Sequence, residues 1–429
     1  MIKKVIIVAS ILILSLTLYI NSQKVGPTYY YVSSSGNDNN SGLSPKLPWK
    51  TLDKVNGWKF MPGDVVCFRK GDTWRGQLIP QSGDKQRDVK YTSYGSGKQK
   101  PAFLGSLSRS SKEQWHEVSS NIWTTETGKL EIGNIVFDYK TCGERVWRYD
   151  ELKKTKQFYY DKKQLKLFLY SQKNPALLNS SIECCVKKNI IDQTFKSHVT
   201  YEGLSLKYGA AHGIWGYKTN NITVRGCDIS YIGGADANFE GKHIRFGNGV
   251  EFWGEAFDCL VEKCNIWEVY DSAVTNQNAY QVNKQYNIKY RYNTIWNCEF
   301  SFEYFNYLNG SSTSDITFEY NNCYNAGGGW GHNQREDKAG RHISFYANEA
   351  SISNICVSNN TFYSAKECLL MVGSRFMNKE ALIFKNNKYY QSADKTYAVW
   401  GHEKYLAKDF KKFVSDKNND LGSTLNTKY

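Results

Sequence analysis

From residue 200 onward one short pattern recurs, and it restricts the fold more than any other feature of the chain. A large apolar residue is followed by two others, then by Asn, Cys or Leu, one further residue and an apolar one. It reads YEGLSL at Tyr201, VRGCDI at Val224, VEKCNI at Val261, YRYNTI at Tyr290, FEYNNC at Phe318, VSNNTF at Val357 and FKNNKY at Phe384. Successive starts lie 23, 37, 29, 28, 39 and 27 residues apart. A short period with variable additions marks a solenoid whose loops grow on one side. The repeated residues are β-branched or aromatic, alternate with period two and are punctuated by Gly, Asn and Asp, so the units are strands. The shortest interval, 23 residues, is too short for a strand–helix–strand crossover of roughly 30. The spacing therefore predicts an all-β chain, a right-handed parallel β-helix of three short strands per turn, with rungs about 4.8 Å apart.

The bend after each repeat supports this. Asn293, Asn321, Asn360 and Asn387 hold one position in successive coils, and Gly203, Gly226, Asn359 and Asn386 stand one residue earlier. Gly and Asn tolerate the left-handed geometry a sharp bend needs, and stacked Asn side chains can hydrogen-bond up a ladder. Cys227 and Cys264 take the Asn position in two coils, either as small buried residues, the preferred reading, or as a disulfide between coils.

A second strand precedes the repeated one in each coil: GIWGY at 213, GVEFW at 249, AVTNQ at 273, FSFEYF at 300, HISFY at 342 and LLMVG at 369. Ile214, Val250, Val274, Phe302, Ile343 and Leu370 then point inward. Trp215, Glu251, Thr275, Glu303, Ser344 and Met371 point outward, followed by an outward column holding Tyr217, Trp253, Gln277, Phe305 and Tyr346. Carboxylates mixed with large aromatics suit sugar binding, because rings stack on sugar faces and polar groups read hydroxyls. Glu251 and Glu303 stand two coils apart, roughly 9.6 Å between backbones, within side-chain reach of an inverting glycosidase pair. Asp271, at the bend into the middle coil, allows a closer, retaining pair instead. Glu251, Asp271 and Glu303 are the candidate catalytic acids. The alternative is that they are solvated or paired surface acids.

Two insertions border this face. GGADANFEGKHIRFGN at 233–248 brings His243 and Arg245, and GGGWGHNQREDKAGRH at 327–342 brings Trp330, His332, Arg335 and His342. The second has no phosphate-loop signature, and its histidine spacing does not suit zinc. His332 is a candidate general acid or base. Trp215, Trp253, Phe305, Trp330, Arg335, His342, Arg245 and His243 are candidate substrate-binding residues, the guanidinium matching a uronate or sulfate. The alternative is a loop held by its own salt bridges. No metal or other cofactor is expected; calcium is left open as an alternative that no clear motif supports.

The chain of 429 residues carries 55 Lys and Arg against 41 Asp and Glu, a net +14. This charge fits an anionic glycan without requiring one. No dense basic run or nucleic-acid module is present, so nucleic acid is not an expected partner. MIKK precedes an apolar run from Val5 to Ile20, and polar NSQK follows, the pattern of an export signal. The protein is expected to be secreted or in the cell envelope. An uncleaved anchor is the alternative, and only then is a membrane a partner. Eleven cysteines in an exported chain suggest disulfides, although no C-x-x-C occurs. The organisation expected is a signal or anchor over 1–24, an N-terminal cap with the first coils over 25–110, an inserted β-rich region over 111–198, the main β-helix over 199–395 and a C-terminal helical cap over 396–429. In YLAKDFKKFVSDK, Leu406, Phe410, Phe413 and Val414 share one helical face that suits the open end of a solenoid.

The stretch from 30 to 78, with PGDVVCFRKGDTWRGQL at 62–78, resembles the opening of secreted right-handed β-helix carbohydrate-active enzymes. QFYYDKKQLKLFLYSQKNP at 157–175 resembles a hairpin inserted in several β-helix glycoside hydrolases, and two alternating runs about a turn read the same way. The resemblance implies the fold and carbohydrate chemistry. No D-P-H-D as in alginate epimerases, no paired aspartates or G-H-G as in polygalacturonases, and no Asp cluster of a pectate-lyase calcium site is found, so no family catalytic residue carries over. Three readings follow: a glycoside hydrolase acting on a polysaccharide or oligosaccharide, a polysaccharide lyase acting on a uronate-containing glycan, or a non-catalytic glycan-binding solenoid.

Overall fold

The computed structural model describes residues 26–428; the apolar run read as an export signal lies outside them. Among the described residues no helix is long and apolar enough to cross a membrane. The chain folds as a parallel β-helix. A sheet of 17 strands carries both the acid-bearing strands and the repeated strands, and a sheet of 14 forms the remaining side. The repeated strands stack in the register expected, Tyr201 on Val224, Val261, Tyr290, Phe318, Val357 and Phe384. Ile214, Val250, Val274, Phe302, Ile343 and Leu370 also stack in register and are all 0–1% exposed.

The bends are held by an asparagine ladder. Asn321 accepts from the main-chain N–H of Asn293 at 2.9 Å and from its amide at 3.0 Å, and donates to Tyr290 O at 3.0 Å. Asn360 and Asn387 repeat this. Asn359 and Asn386 do adopt positive φ, 58° and 56°. Cys264 continues the ladder: its N–H donates to Asn293 Oδ1 at 3.0 Å and its thiol to Val224 O at 3.7 Å. All eleven cysteines are free thiols, most of them buried. The expectation of disulfides is thus corrected: these residues fill core space as small apolar groups.

At the N-terminal end, strand Tyr29–Val32 pairs with Val65–Arg69 and helix Leu52–Gly57 begins on the Thr51 side chain. Strands Gln157–Asp161 and Lys166–Tyr170 form the antiparallel hairpin inside a five-stranded sheet. Ile132–Phe137 and Ile182–Val186 return from this region to the solenoid wall. Stacking continues beyond 395, with Thr396–Gly401 on Cys368–Gly373 and Thr424–Asn426 on Lys388–Tyr390. Helix Phe410–Lys417 closes that end with Phe413 fully buried. Leu406 is not on the helix; it ends the hairpin strand Glu403–Leu406.

Replacing Asn321 with Ala leaves the Asn293 N–H and the Tyr290 carbonyl buried without partners. The substitution N321A is expected to destabilise the fold by about 2–4 kcal/mol, read as a lower urea midpoint with an unchanged slope.

Candidate active site

The outward columns form as the period-two alternation predicts. Trp215, Glu251, Thr275, Glu303, Ser344 and Met371 occupy one position on successive rungs. Tyr217, Trp253, Gln277 and Phe305 form the next column. The register shifts after Tyr304, which re-aims Tyr346 so that its ring lies 6.5 Å from Phe305.

The acids on this face are not solvated. Glu251 and Glu303 are only 2% and 4% exposed. Glu303 accepts from Gln277 Nε2 at 2.9 Å. Burial, followed by the charges of Asp271 and Glu251, pushes its carboxyl well above the usual range, with Arg335 and the Tyr346 hydroxyl opposing. Asp271 sits at the bend, where its carbonyl accepts from the N–H groups of Glu299 and Phe300. Its carboxyl is raised by burial and by Asp337 and Glu299, while Arg335 Nη1, at 3.0 Å, pulls it down. Glu251 Oε2 receives Asn248 Nδ2 at 2.7 Å and lies 2.9 Å from His212 Nδ1. That same nitrogen is 3.1 Å from the Asn248 N–H. One ring nitrogen serves one partner well: Nδ1 accepts from Asn248 in one tautomer and donates to Glu251 in the other.

The loop at 327–342 is pinched at its neck, where a Cβ on Gly327 would lie 2.7 Å from Gly340 Cα and both glycines have positive φ. Only glycine allows this closeness. Arg335 is bonded to Asp337 at 2.7 Å and to Asp271, with its guanidinium over the Tyr270 and Phe300 rings. His332 does not reach the three acids. Its Nδ1 lies 3.2 Å from both oxygens of buried Glu299, which also takes the Gly340 N–H at 2.8 Å, so it anchors the loop.

Of the substrate-binding candidates, His342 is corrected outright, while Arg245 and Trp330 are engaged by the protein's own groups. His342 is 0% exposed, bonded to Ser301 Oγ and the carbonyls of Tyr363 and Ser364, and burial lowers it to about 4. Alternation alone would put His342 on the same face as Ser344, two residues on; its bonds to Ser301 and to the Tyr363 and Ser364 carbonyls bury it at the start of the strand instead. Arg245 is buried against Gly234 O and Gly133 O. Trp330 packs on Arg245 and Tyr270 and donates to Glu268 O. His243 remains at the surface, stacked on Trp147 and bonded to Asp236, away from the acid column.

Trp215, Trp253, Phe246, Tyr280 and His212 line a cleft of about 520 Å³ beside Glu251. Trp253 also packs edge-on against Phe305 at 6.0 Å. His212, Asn248, Phe246, Tyr280, Glu299 and Tyr346 contribute to the site, yet only Tyr346 had been placed on this face. His212 and Asn248 stood one residue before the aligned glycines Gly213 and Gly249, and that shared position was a readable signal. Among the described residues no group of three or more His, Cys, Asp or Glu is arranged to hold a metal ion.

No protein-family model matches the sequence. A segment of 98 residues, 21% of the chain, is 32% identical to a lacto-N-biosidase of Bifidobacterium longum and spans only 6% of that protein's length. Among solved structures the chain is similar to pectate lyase Pel9A, with a TM-score of 0.52 and 11% identity over 95% of this chain and 78% of that one. It is also similar to XylC solved with xylose, with a TM-score of 0.49 and 11% identity over 92% and 82%. The likeness to the pectate lyase agrees with the parallel β-helix fold that the opening stretch implied.

Removing the guanidinium with R335M leaves Asp271, Glu299 and Asp337 without their shared cation. Asp271 then rises further, because the one charge lowering it is gone. For any activity requiring Asp271 ionised, the acidic limb of the kcat/KM profile is expected to move to higher pH.

Proposed function

We propose that the protein is a glycoside hydrolase in which Glu303 is the proton donor. The observation that carries this reading is a buried carboxyl raised by neighbouring acids, on a face lined with aromatic rings. A carboxyl kept protonated near neutral pH can protonate a glycosidic oxygen. Asp271 is assigned as its partner because its charge acts on Glu303 more strongly than that of Glu251. The Arg335 ion pair favours the ionised form of Asp271, ready to attack the anomeric carbon or to activate water. Glu251, held by Asn248 and His212, is assigned to substrate hydroxyls, beside Trp215 and Trp253. Export to the cell surface or medium accords with a polymeric substrate, and the +14 charge accords with an acidic one.

An eliminative lyase needs a base with a lowered value. The nearest phenol, Tyr346, is pushed well above its ordinary range by burial and by Glu303, which favours hydrolysis.

Product analysis on neutral and acidic polysaccharides tests the proposal. New reducing ends without ultraviolet absorption are expected; an absorbing unsaturated product overturns hydrolysis, and no cleavage of any glycan favours the binding-protein reading. E303Q and D271N are each expected to lose about a hundredfold or more in kcat, while E251Q acts mainly on KM. Unchanged turnover in all three variants sinks the site. The anomer formed first, read by NMR, separates attack by Asp271 from activation of water.

The pH profile has a worked sign. Activity needs Glu303 protonated, so it falls as pH rises through a raised value, and the alkaline limb is expected above the usual carboxylate range. The same shift makes ionised Glu303 destabilising: its contribution is present at low pH and lost as pH rises through the folded-state value. E303Q is therefore expected to lose less Tm than the parent as pH rises upward from the ordinary carboxylate range.

A further inference from the structure

Behind Asp271 three separate segments meet: the five-stranded inserted sheet, the 233–248 insertion and the 327–342 loop. Gln334 joins them, accepting from Arg245 Nη1 at 2.6 Å and the Arg145 N–H at 3.3 Å, and donating to Gly143 O at 2.9 Å. Fully buried Asp236 holds His243 at 2.9 Å and Lys162 at 3.3 Å, and Lys162 and Lys187 both reach Glu131. Lys162 and Lys187 are paired with Glu131, and Asp236 with Lys162 and His243, whereas buried Arg245 is held by Gly234 O, Gly133 O, Gln334 and the Tyr270 ring, so the junction is a preformed wall.

Two clefts of about 230 and 350 Å³ open on this junction. Trp147 and His243 line both, so the clefts meet at that pair. Arg335 and Tyr270 line the first, which ties it to Asp271; Tyr159, Lys162 and Lys163 line the second. The Trp147 ring lies flat on His243 at 3.9 Å and 5°, with the Arg145 guanidinium 4.5 Å from its centre. The pair is therefore rigid.

Its polar edge is unspent. Trp49, Trp74, Trp115, Trp123 and Trp330 each donate their indole N–H to a main-chain carbonyl. Trp147 has no acceptor among the described residues, and neither do Trp215 and Trp253 in the cleft beside Glu251, nor Trp58, Trp267, Trp296 and Trp400 elsewhere; what sets Trp147 apart is its place between the two clefts. The exposed Lys163 ammonium likewise has no partner among them. A partly buried donor in a cleft calls for an acceptor from a ligand, and a hydroxyl-rich chain supplies one at each unit.

We propose that this trough is a set of distal subsites for the glycan. A chain bound at the acids continues past Arg335, over the Trp147–His243 pair, and on to Lys162 and Lys163. The inserted region is then a substrate-binding wall, and the substrate is a chain longer than a disaccharide. This inference rests on the glycosidase reading.

Two measurements test it on the full chain. Binding of labelled neutral and uronate-containing oligosaccharides, from disaccharide to octasaccharide, is titrated on E303Q, then on E303Q carrying W147A or K163A. Affinity is expected to rise with chain length in E303Q, and W147A is expected to cut that gain about tenfold, roughly 1.4 kcal/mol. K163A, a surface change that leaves the junction intact, is expected to cut it less. The advantage of octasaccharide over disaccharide in kcat/KM is expected to shrink in parallel in the single variants W147A and K163A. A length dependence that both variants leave unchanged overturns the trough, as does failure of E303Q to bind any long chain. Length-dependent binding sensitive to W147A, without cleavage by the parent, supports the trough and sinks only the hydrolase reading.

Discussion

Everything in this protein depends on the rung-to-rung register of parallel strands, which sets identical positions about 4.8 Å apart along the axis. The buried asparagine ladder holds that register, because each side chain satisfies main-chain groups of its own coil and the next. A slip of one residue would turn Glu251 and Glu303 into the core and Val250 and Phe302 into water. The fully apolar inward column makes such a slip prohibitive. Stability and site geometry therefore share one cause.

The second consequence of that register is electrostatic. Stacked coils bring Glu251, Asp271, Glu299 and Glu303 near one another, and the rings and loops around them exclude water. Only Arg335 faces several of these acids, touching Asp271 and lying 3.8 Å from Glu299. Like charges in a dry site cannot all ionise. Burial and the charges of Asp271 and Glu251 together push the Glu303 carboxyl well above its usual range. Strain of this electrostatic kind persists because the solenoid core over-determines the backbone beneath it.

How much was legible follows from range. Strand stacking repeats, so the columns holding Trp215, Glu251 and Glu303 could be read from spacing, and their pairing is as expected. Loops do not repeat. The histidines of the 327–342 loop drew attention as chemistry, yet His332 anchors on Glu299 and His342 is sealed among carbonyls. His212 went unnoticed because nothing local to it mentions Glu251, 39 residues on in the chain. The junction around Gln334 was illegible for the same reason: its partners Gly143 and Arg245 lie 191 and 89 residues away.

The sequence by itself determined the solenoid, its inward and outward faces, its bends and the column of acids, because each is a local period that any stacked coil must obey. Only the tertiary structure decided which acids are buried together, which loop residue reaches Asp271 and where clefts open beside them. Those depend on burial and on partners distant in the chain, and neither leaves a periodic mark in the order of residues.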